Sequence, residues 1–261
     1  MRLQLEVLLK VQKQGNAPED YEDAIAHRSG DPECHDNGFP LVVAIADGAT
    51  ESSFSKLWAE LLVTEFVHDP FMTSDDMKRS VARCARLWSR IVRKKPLPWY
   101  AEEKVKMGSF STLLGVQFLP PNSDGLGRWQ AIALGDSCLF QIGPEGPVTQ
   151  FPITAYEDFG STPPLVSTDA AYNSRSWNEL AYIEGAWTRD DFFLLMTDAL
   201  SQWATKEHPA RSVWDELLAT FLSDNGSNLL RDWVDRQRQS GTIRNDDITL
   251  AVVRENEATS P

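Results

Sequence analysis

The chain has 261 residues, 42% hydrophobic and 24% charged, with 25 Lys and Arg against 38 Asp and Glu for a formal charge of -13. This fits one large domain with a real core, and so acidic a chain repels nucleic acid and anionic membranes. Three cysteines (Cys34, Cys84, Cys138) without CxxC spacing argue against a disulfide framework or structural zinc; with no membrane-length apolar run and no signal-peptide core in MRLQLEVLLKVQKQG, a soluble cytoplasmic protein is expected.

In chain order, LQLEVLLKVQ partly alternates and predicts an opening strand. GNAPED is a turn and YEDAIAH the next strand. Residues 29–40, rich in Gly, Pro and Asp, read as a hairpin loop before the strand LVVAIADG. A helix capped by Ser52 or Ser53 should carry Leu57, Trp58, Leu61, Leu62 and Phe66 on one face. A second, from about Ser74 to Lys94, has Asp75 and Asp76 in its first turn and Arg93 and Lys94 in its last, matching the helix dipole. Trp58, Trp88 and Trp99 read as packing residues. SFSTLLGVQFL and WQAIALGDSCLFQI predict a hairpin of two strands.

Residues 143–190, broken by five prolines, have little periodicity and read as a lid or flap. DFFLLMTDAL is a strand ending on Asp198. Two helices follow near 209–222 and 226–239, the second stopped by Gly241, then the closing strand DDITLAVV and a frayed tail. With no βαβ alternation and no GxGxxG, this order predicts an α+β layered architecture with antiparallel sheets and helices outside.

The apolar strands deliver carboxylates at their ends: Glu22 and Asp23, Asp47 with Gly48, Asp136, Asp198, Asp246 and Asp247. Strand ends gathered at one rim would bring these charges together, and uncompensated carboxylates repel. Mg²⁺ or Mn²⁺, which take oxygen ligands, removes that cost. Paired ions would supply a nucleophilic hydroxide. Gly48 would let a backbone carbonyl come close to an ion. Each motif alone also reads as a plain turn; their ordered joint occurrence carries the inference.

Together YEDAIA, ADGAT, GSFSTLLG, ALGDSCLF, LLMTDAL and NDDITLAVV resemble the metal-dependent Ser/Thr protein phosphatases of type 2C, the PPM family, in its compact bacterial branch, over about residues 10–254. The resemblance implies an αββα four-layer sandwich, two antiparallel sheets flanked by helix pairs, as one unit over 1–254. A flap-like segment near 154–188 would choose substrate, and 255–261 would be a tail. It assigns Asp23, Asp47, Gly48, Asp198 and Asp246 to two core Mn²⁺ or Mg²⁺ ions, Asp136 to a third, weaker ion, Glu22 to orienting water, and Asp247 to the family's Asn position. The implied reaction hydrolyses phospho-Ser or phospho-Thr in proteins by a hydroxide bridging two metals, with no covalent intermediate and with Glu22, Asp23, Asp47, Asp198 and Asp246 as the catalytic set. Implied partners are a phosphoprotein and a cognate Ser/Thr kinase, with a monomer favoured.

The sequence departs from the family at three places. Pro18 stands where many members have a phosphate-gripping Arg, with Lys13, His27 and Arg28 as candidate substitutes. Ala49 stands where some have a His, and Asp198-Ala199 replaces Asp-Gly. His35, His68 and His208 read as loop or surface residues, Cys84 and Cys138 as buried packing, and Ser111 and Thr112 as supports. Two alternatives stay open: a pseudophosphatase acting as a binding module, and a phosphatase of small metabolites.

Overall fold

The computed structural model describes residues 3–30, 40–50, 52–96, 99–207, 209–221, 223 and 225–255. One sheet runs β1 (Leu3–Val11), β12 (Ile248–Glu255), β11 (Phe192–Met196), β7 (Cys138–Gly143), β8 (Gly146–Phe151). The other runs β10 (Ala181–Trp187), β6 (Gly127–Leu134), β5 (Leu113–Leu119), β3 (Leu41–Ala46), β2 (Ala24–Arg28). All neighbours pair antiparallel.

A strand apolar at every position has no solvent face and must lie between two layers. In β3, Leu41, Val43 and Ile45 meet Phe118, Trp129 and Phe193 between the sheets. Its alternate residues Val42, Ala44 and Ala46 pack with α1 (Ser55–His68) and α2 (Ser74–Val92) through Trp58, Phe66 and Trp88. β11 repeats the pattern: Phe193 and Leu195 point inward. Phe192, Leu194 and Met196 join α5 (Asp198–Glu207), α6 (Arg211–Phe221) and α7 (Gly226–Gln239). Three stacked apolar clusters thus make the αββα sandwich.

Several elements differ from expectation. The Ser cap of α1 is not used: Phe54 holds the N-cap at φ 59°, while Ser52 Oγ donates to Ala49 O (2.9 Å) and accepts from Phe110 N (3.2 Å). WQAIALGDSCLFQI does not form one strand but breaks at Gly135 (φ +116°), where the chain crosses from one sheet to the other. A Cβ there would sit 2.6 Å from the Thr112 side chain. SFSTLLGVQFL divides at Thr112 into β4 (Phe110–Ser111) and β5, and β4 pairs with β9 (Val166–Ser167).

Helices α3 (Trp99–Lys106), α4 (Ala170–Ser176) and α5 were not expected. Residues 181–187 of the expected flap are the edge strand β10. Helix α2 is capped by Thr73, which accepts from Asp76 N, and Gly241 (φ +74°) follows α7 as expected. β12 reaches Glu255, one residue into the expected tail. The loop expected at 29–40 lies mostly outside the described residues, as do Cys34, His35, His208, the rest of the tail and the Trp99 side chain.

Candidate metal centre

The expected carboxylates come from separate elements to one edge of the sandwich. Asp47 follows β3, Asp136 sits at the sheet crossing between β6 and β7, and Asp198 opens α5. One carboxylate oxygen of each lies within 4.8 Å of the others. Asp23 precedes β2, and Asp246 sits in the loop before β12. Asp136 and Asp198 are buried and Asp47 is half-buried.

Their backbones are pinned. Asp47 N donates to Thr112 Oγ1 (2.9 Å), and its carbonyl accepts from Thr112 N (2.9 Å) and Ser111 Oγ (2.8 Å). Thr112 and Ser111 thus serve as the supports expected of them. A Cβ at Gly48 would sit 2.9 Å from the Glu22 carbonyl oxygen and 3.0 Å from Ser55, so the close approach of three chain segments requires glycine. Asp198 accepts from Ala199 N at the start of α5. Asp247, at the Asn position, accepts from Lys13 N and Glu22 N, one on each oxygen, both at 2.7 Å. That use needs two acceptors, which an amide lacks.

Asp23 is buried, and its Oδ2 accepts from Thr249 Oγ1 (2.9 Å), Thr197 Oγ1 (3.0 Å) and Tyr21 Oη (3.4 Å). Its Oδ1 and Asp136 Oδ1 are buried without a hydrogen-bond partner among the described residues. Burial, then the Asp247 charge, pushes the Asp23 carboxyl up to about 7. Burial pushes Asp136 up to about 6, against the pull of Arg244. Asp47 is also raised well above the usual carboxylate range, by burial and then by Asp23, Asp136 and Asp246. Clustered carboxylates with orphaned buried oxygens, all hard oxygen donors, fit a divalent cation of the Mg²⁺ or Mn²⁺ type.

A cavity of about 630 Å³ opens beside the cluster. Asp47, Asp198, Asp246 and Arg244 form its polar side, and Met107, Phe110, Pro163 and Leu165 an apolar wall. Glu22 lines a different cavity, and its carboxylate accepts from Ser55 Oγ. Arg244, which the sequence reading passed over, ion-pairs with Asp198 and lies 3.6 Å from Asp246. The available signal was a lone cation two residues before an acidic pair, in IRNDD.

Pro18 lies in an exposed 3-10 turn. Of the candidate substitutes, Lys13 pairs with Asp246 (3.7 Å). Arg28 is spent on Val67 O (2.6 Å) at the end of α1, and exposed His27 lies about 13 Å along β2 from Asp23 at strand rise.

Oxygen-only carboxylates gathered at the edge of an αββα sandwich define a metal-dependent hydrolase. The chain belongs to the protein phosphatase 2C family of metal-dependent serine/threonine phosphatases, which matches residues 21–235. Similar solved structures include the serine/threonine phosphatase Stp1 from Staphylococcus aureus (13% identity, 98% of each chain covered, TM-score 0.61). They also include the phosphatase PstP/Ppp of Mycobacterium tuberculosis (15%, 97% of this chain and 99% of that one, TM-score 0.57). A third is the PstP catalytic domain in complex with two manganese ions (14%, 97% of each chain, TM-score 0.52). At these identities the likeness speaks to the fold. No curated protein sequence matches the chain. Among the described residues no helix is long and apolar enough to cross a membrane.

Proposed function

We propose that the chain hydrolyses phospho-Ser and phospho-Thr esters of proteins at the carboxylate cluster, using two Mn²⁺ or Mg²⁺ ions, with no covalent intermediate. The single observation that carries this reading is the convergence of Asp47, Asp136 and Asp198 oxygens within 4.8 Å. The orphaned Oδ1 atoms of Asp23 and Asp136 add to it. Asp23, Asp47, Asp136, Asp198, Asp246 and the Gly48 carbonyl hold the ions. Divalent ions bound there supply positive charge for the phosphoryl oxygens and lower the pKa of water.

The chain's own residues do the rest. Thr112 and Ser111 fix the backbone of Asp47. Tyr21, Thr197 and Thr249 occupy one oxygen of Asp23 and leave the other for a cation. Asp247 ties the backbones of Lys13 and Glu22 into the rim, and the Glu22 carboxylate, bonded to Ser55 Oγ, faces the neighbouring cavity. Met107, Phe110, Pro163 and Leu165 give the peptide part of the substrate an apolar wall against which to exclude water. That wall favours a protein over a small polar metabolite. Residues 1–254 act as one unit, with the segment near 154–188 choosing substrate through Pro163 and Leu165.

The test is phosphate release from p-nitrophenyl phosphate and from phosphoserine and phosphothreonine peptides, with Mn²⁺, Mg²⁺ or EDTA, for wild type, Asp47→Asn and Asp198→Asn. Metal-dependent turnover that falls at least 100-fold in both variants supports the reading. Turnover that survives EDTA, or a wild type that binds Mn²⁺ and turns over nothing, overturns it.

A further inference from the structure

Arg244 stands in the cavity, on the carboxylate cluster itself. Its guanidinium pairs with Asp198 and lies 3.6 Å from Asp246, and its side chain is 38% exposed. The loop that carries it is fastened at the three following residues. Asn245 exchanges two hydrogen bonds with the Gln14 backbone (2.7 and 3.1 Å). Asp246 O accepts from Arg238 Nη2 (2.6 Å), whose Nη1 also holds Gln12 O (3.1 Å). Asp247 takes Lys13 N and Glu22 N. Its Cα is therefore fixed relative to the cluster, while its guanidinium moves on side-chain torsions alone.

Charge counting gives that guanidinium a task. Asp23, Asp47, Asp136, Asp198 and Asp246 carry five negative charges when ionised, and two divalent ions neutralise four. A dianionic phosphoryl group then still meets net negative charge unless a protein cation accompanies it. Among the described residues two cations line the cavity, Lys104 and Arg244, while Lys13 meets Asp246 (3.7 Å) from outside that lining. Lys104 lies on the exposed side of α3, a compact charge on a flexible stem. Arg244 already touches a cluster carboxylate. A phosphoryl group drawn to ions held by Asp198 and Asp246 would lie beside that guanidinium. Arginine's planar fork matches two phosphate oxygens at once.

We propose that Arg244 grips the phosphoryl oxygens of the substrate, leaving Asp198 when divalent cations fill the cluster. In the metal-free protein the same side chain stands in as the cluster's cation, so Arg244 and the metals compete for Asp198. This rests on the phosphatase reading above, and its test separates the two.

The test is calorimetry of Mn²⁺ binding to wild type, Arg244→Gln and Arg244→Lys. It is followed by titration of each Mn²⁺-loaded protein with inorganic phosphate and by steady-state kinetics on a phosphothreonine peptide. The expected result is Mn²⁺ affinity equal to or tighter than wild type in Arg244→Gln. Its phosphate affinity should be weakened at least 10-fold, with a matching rise in KM and partial recovery in Arg244→Lys. Unchanged phosphate affinity in Arg244→Gln overturns the grip and leaves the phosphatase reading standing. Loss of Mn²⁺ binding in Arg244→Gln also overturns it, because the side chain would then be organising the ligands. A wild type that binds Mn²⁺ but neither phosphate nor peptide removes both readings together.

Discussion

Replacing Asp23 with Asn separates the cost of the carboxylate cluster from its purpose. The amide keeps an oxygen for Tyr21, Thr197 and Thr249, and puts a neutral group where Oδ1 has no partner among the described residues. Burial raises the folded-state pKa of Asp23 to about 7, against about 3.9 in an unfolded chain. Between those values the folded state of the metal-free protein holds the proton and the unfolded state does not. Stability therefore falls as pH rises from about 4 to about 7 and is level above that. The difference in pKa corresponds to at most about 4 kcal/mol, and about 2–4 kcal/mol is a working range for a group that shares its field with several neighbours.

In EDTA at pH 8 the Asn variant should therefore melt about 4–16 °C above wild type, given about 2–4 °C per kcal/mol for a chain of this size. The gap should close as the pH approaches 4. Mn²⁺ narrows the gap. An ion at 100 times its Kd stabilises wild type by about 2.7 kcal/mol, and the variant, missing a ligand, gains less. Differential scanning fluorimetry from pH 4 to 8, with EDTA or MnCl₂, reads both effects. An Asn variant that melts below wild type in EDTA at pH 8 would refute the burial argument. Equal Mn²⁺ stabilisation of both proteins would refute Asp23 as a ligand.

Thr112→Val removes the acceptor of Asp47 N–H, and a melt should show a loss of about 1–3 kcal/mol together with weaker Mn²⁺ binding by calorimetry. Asp247→Asn leaves either Lys13 N–H or Glu22 N–H facing an amide donor, so chemical denaturation should again report a loss of about 1–3 kcal/mol. Gly115→Ala would place a methyl 2.4 Å from the Phe66 ring, with an expected loss of about 1–3 kcal/mol and partial recovery in the double variant with Phe66→Leu. Met107→Glu, at the exposed lip of the apolar wall, should raise KM for phosphopeptides several-fold while leaving p-nitrophenyl phosphate turnover near wild type.

The layered fold was legible because β3 and β11 are apolar at every position and so need cover on both faces. The rim of carboxylates was legible because each lies beside a short apolar run, Asp47 and Asp198 at the ends of β3 and β11 themselves. What stayed hidden depends on partners distant in the chain. Nothing local in ALGDSC announces a change of sheet, since Gly135 takes its positive φ against Thr112, in the break between β4 and β5. Helix α5 was not expected, since the strand DFFLLMTDAL reads as ending on Asp198, and only the edge-to-face contacts of Trp203 with Trp214 and Trp233 show where the helix's face goes. Ser52 has the right chemistry for a helix cap, yet its hydroxyl is taken by Ala49 and Phe110, close to the cavity.

The same distinction holds at the site. The clustered aspartates announce themselves through position, each beside a short apolar run. The residues that balance their charge do not, because a surface loop cation such as Arg244 looks like any other until its neighbours are placed. Asp247 illustrates the point from the other side. Counted as charge, it worsens the crowding around Asp23. Counted as two acceptors, it fastens the N-terminal segment at Lys13 and Glu22 to the loop before β12. Carboxylates of one chemistry thus do two jobs: buried ones with orphan oxygens create demand for a cation, and one with both oxygens bonded fastens the backbone beside them. Hydrogen-bond satisfaction, and not charge, tells them apart.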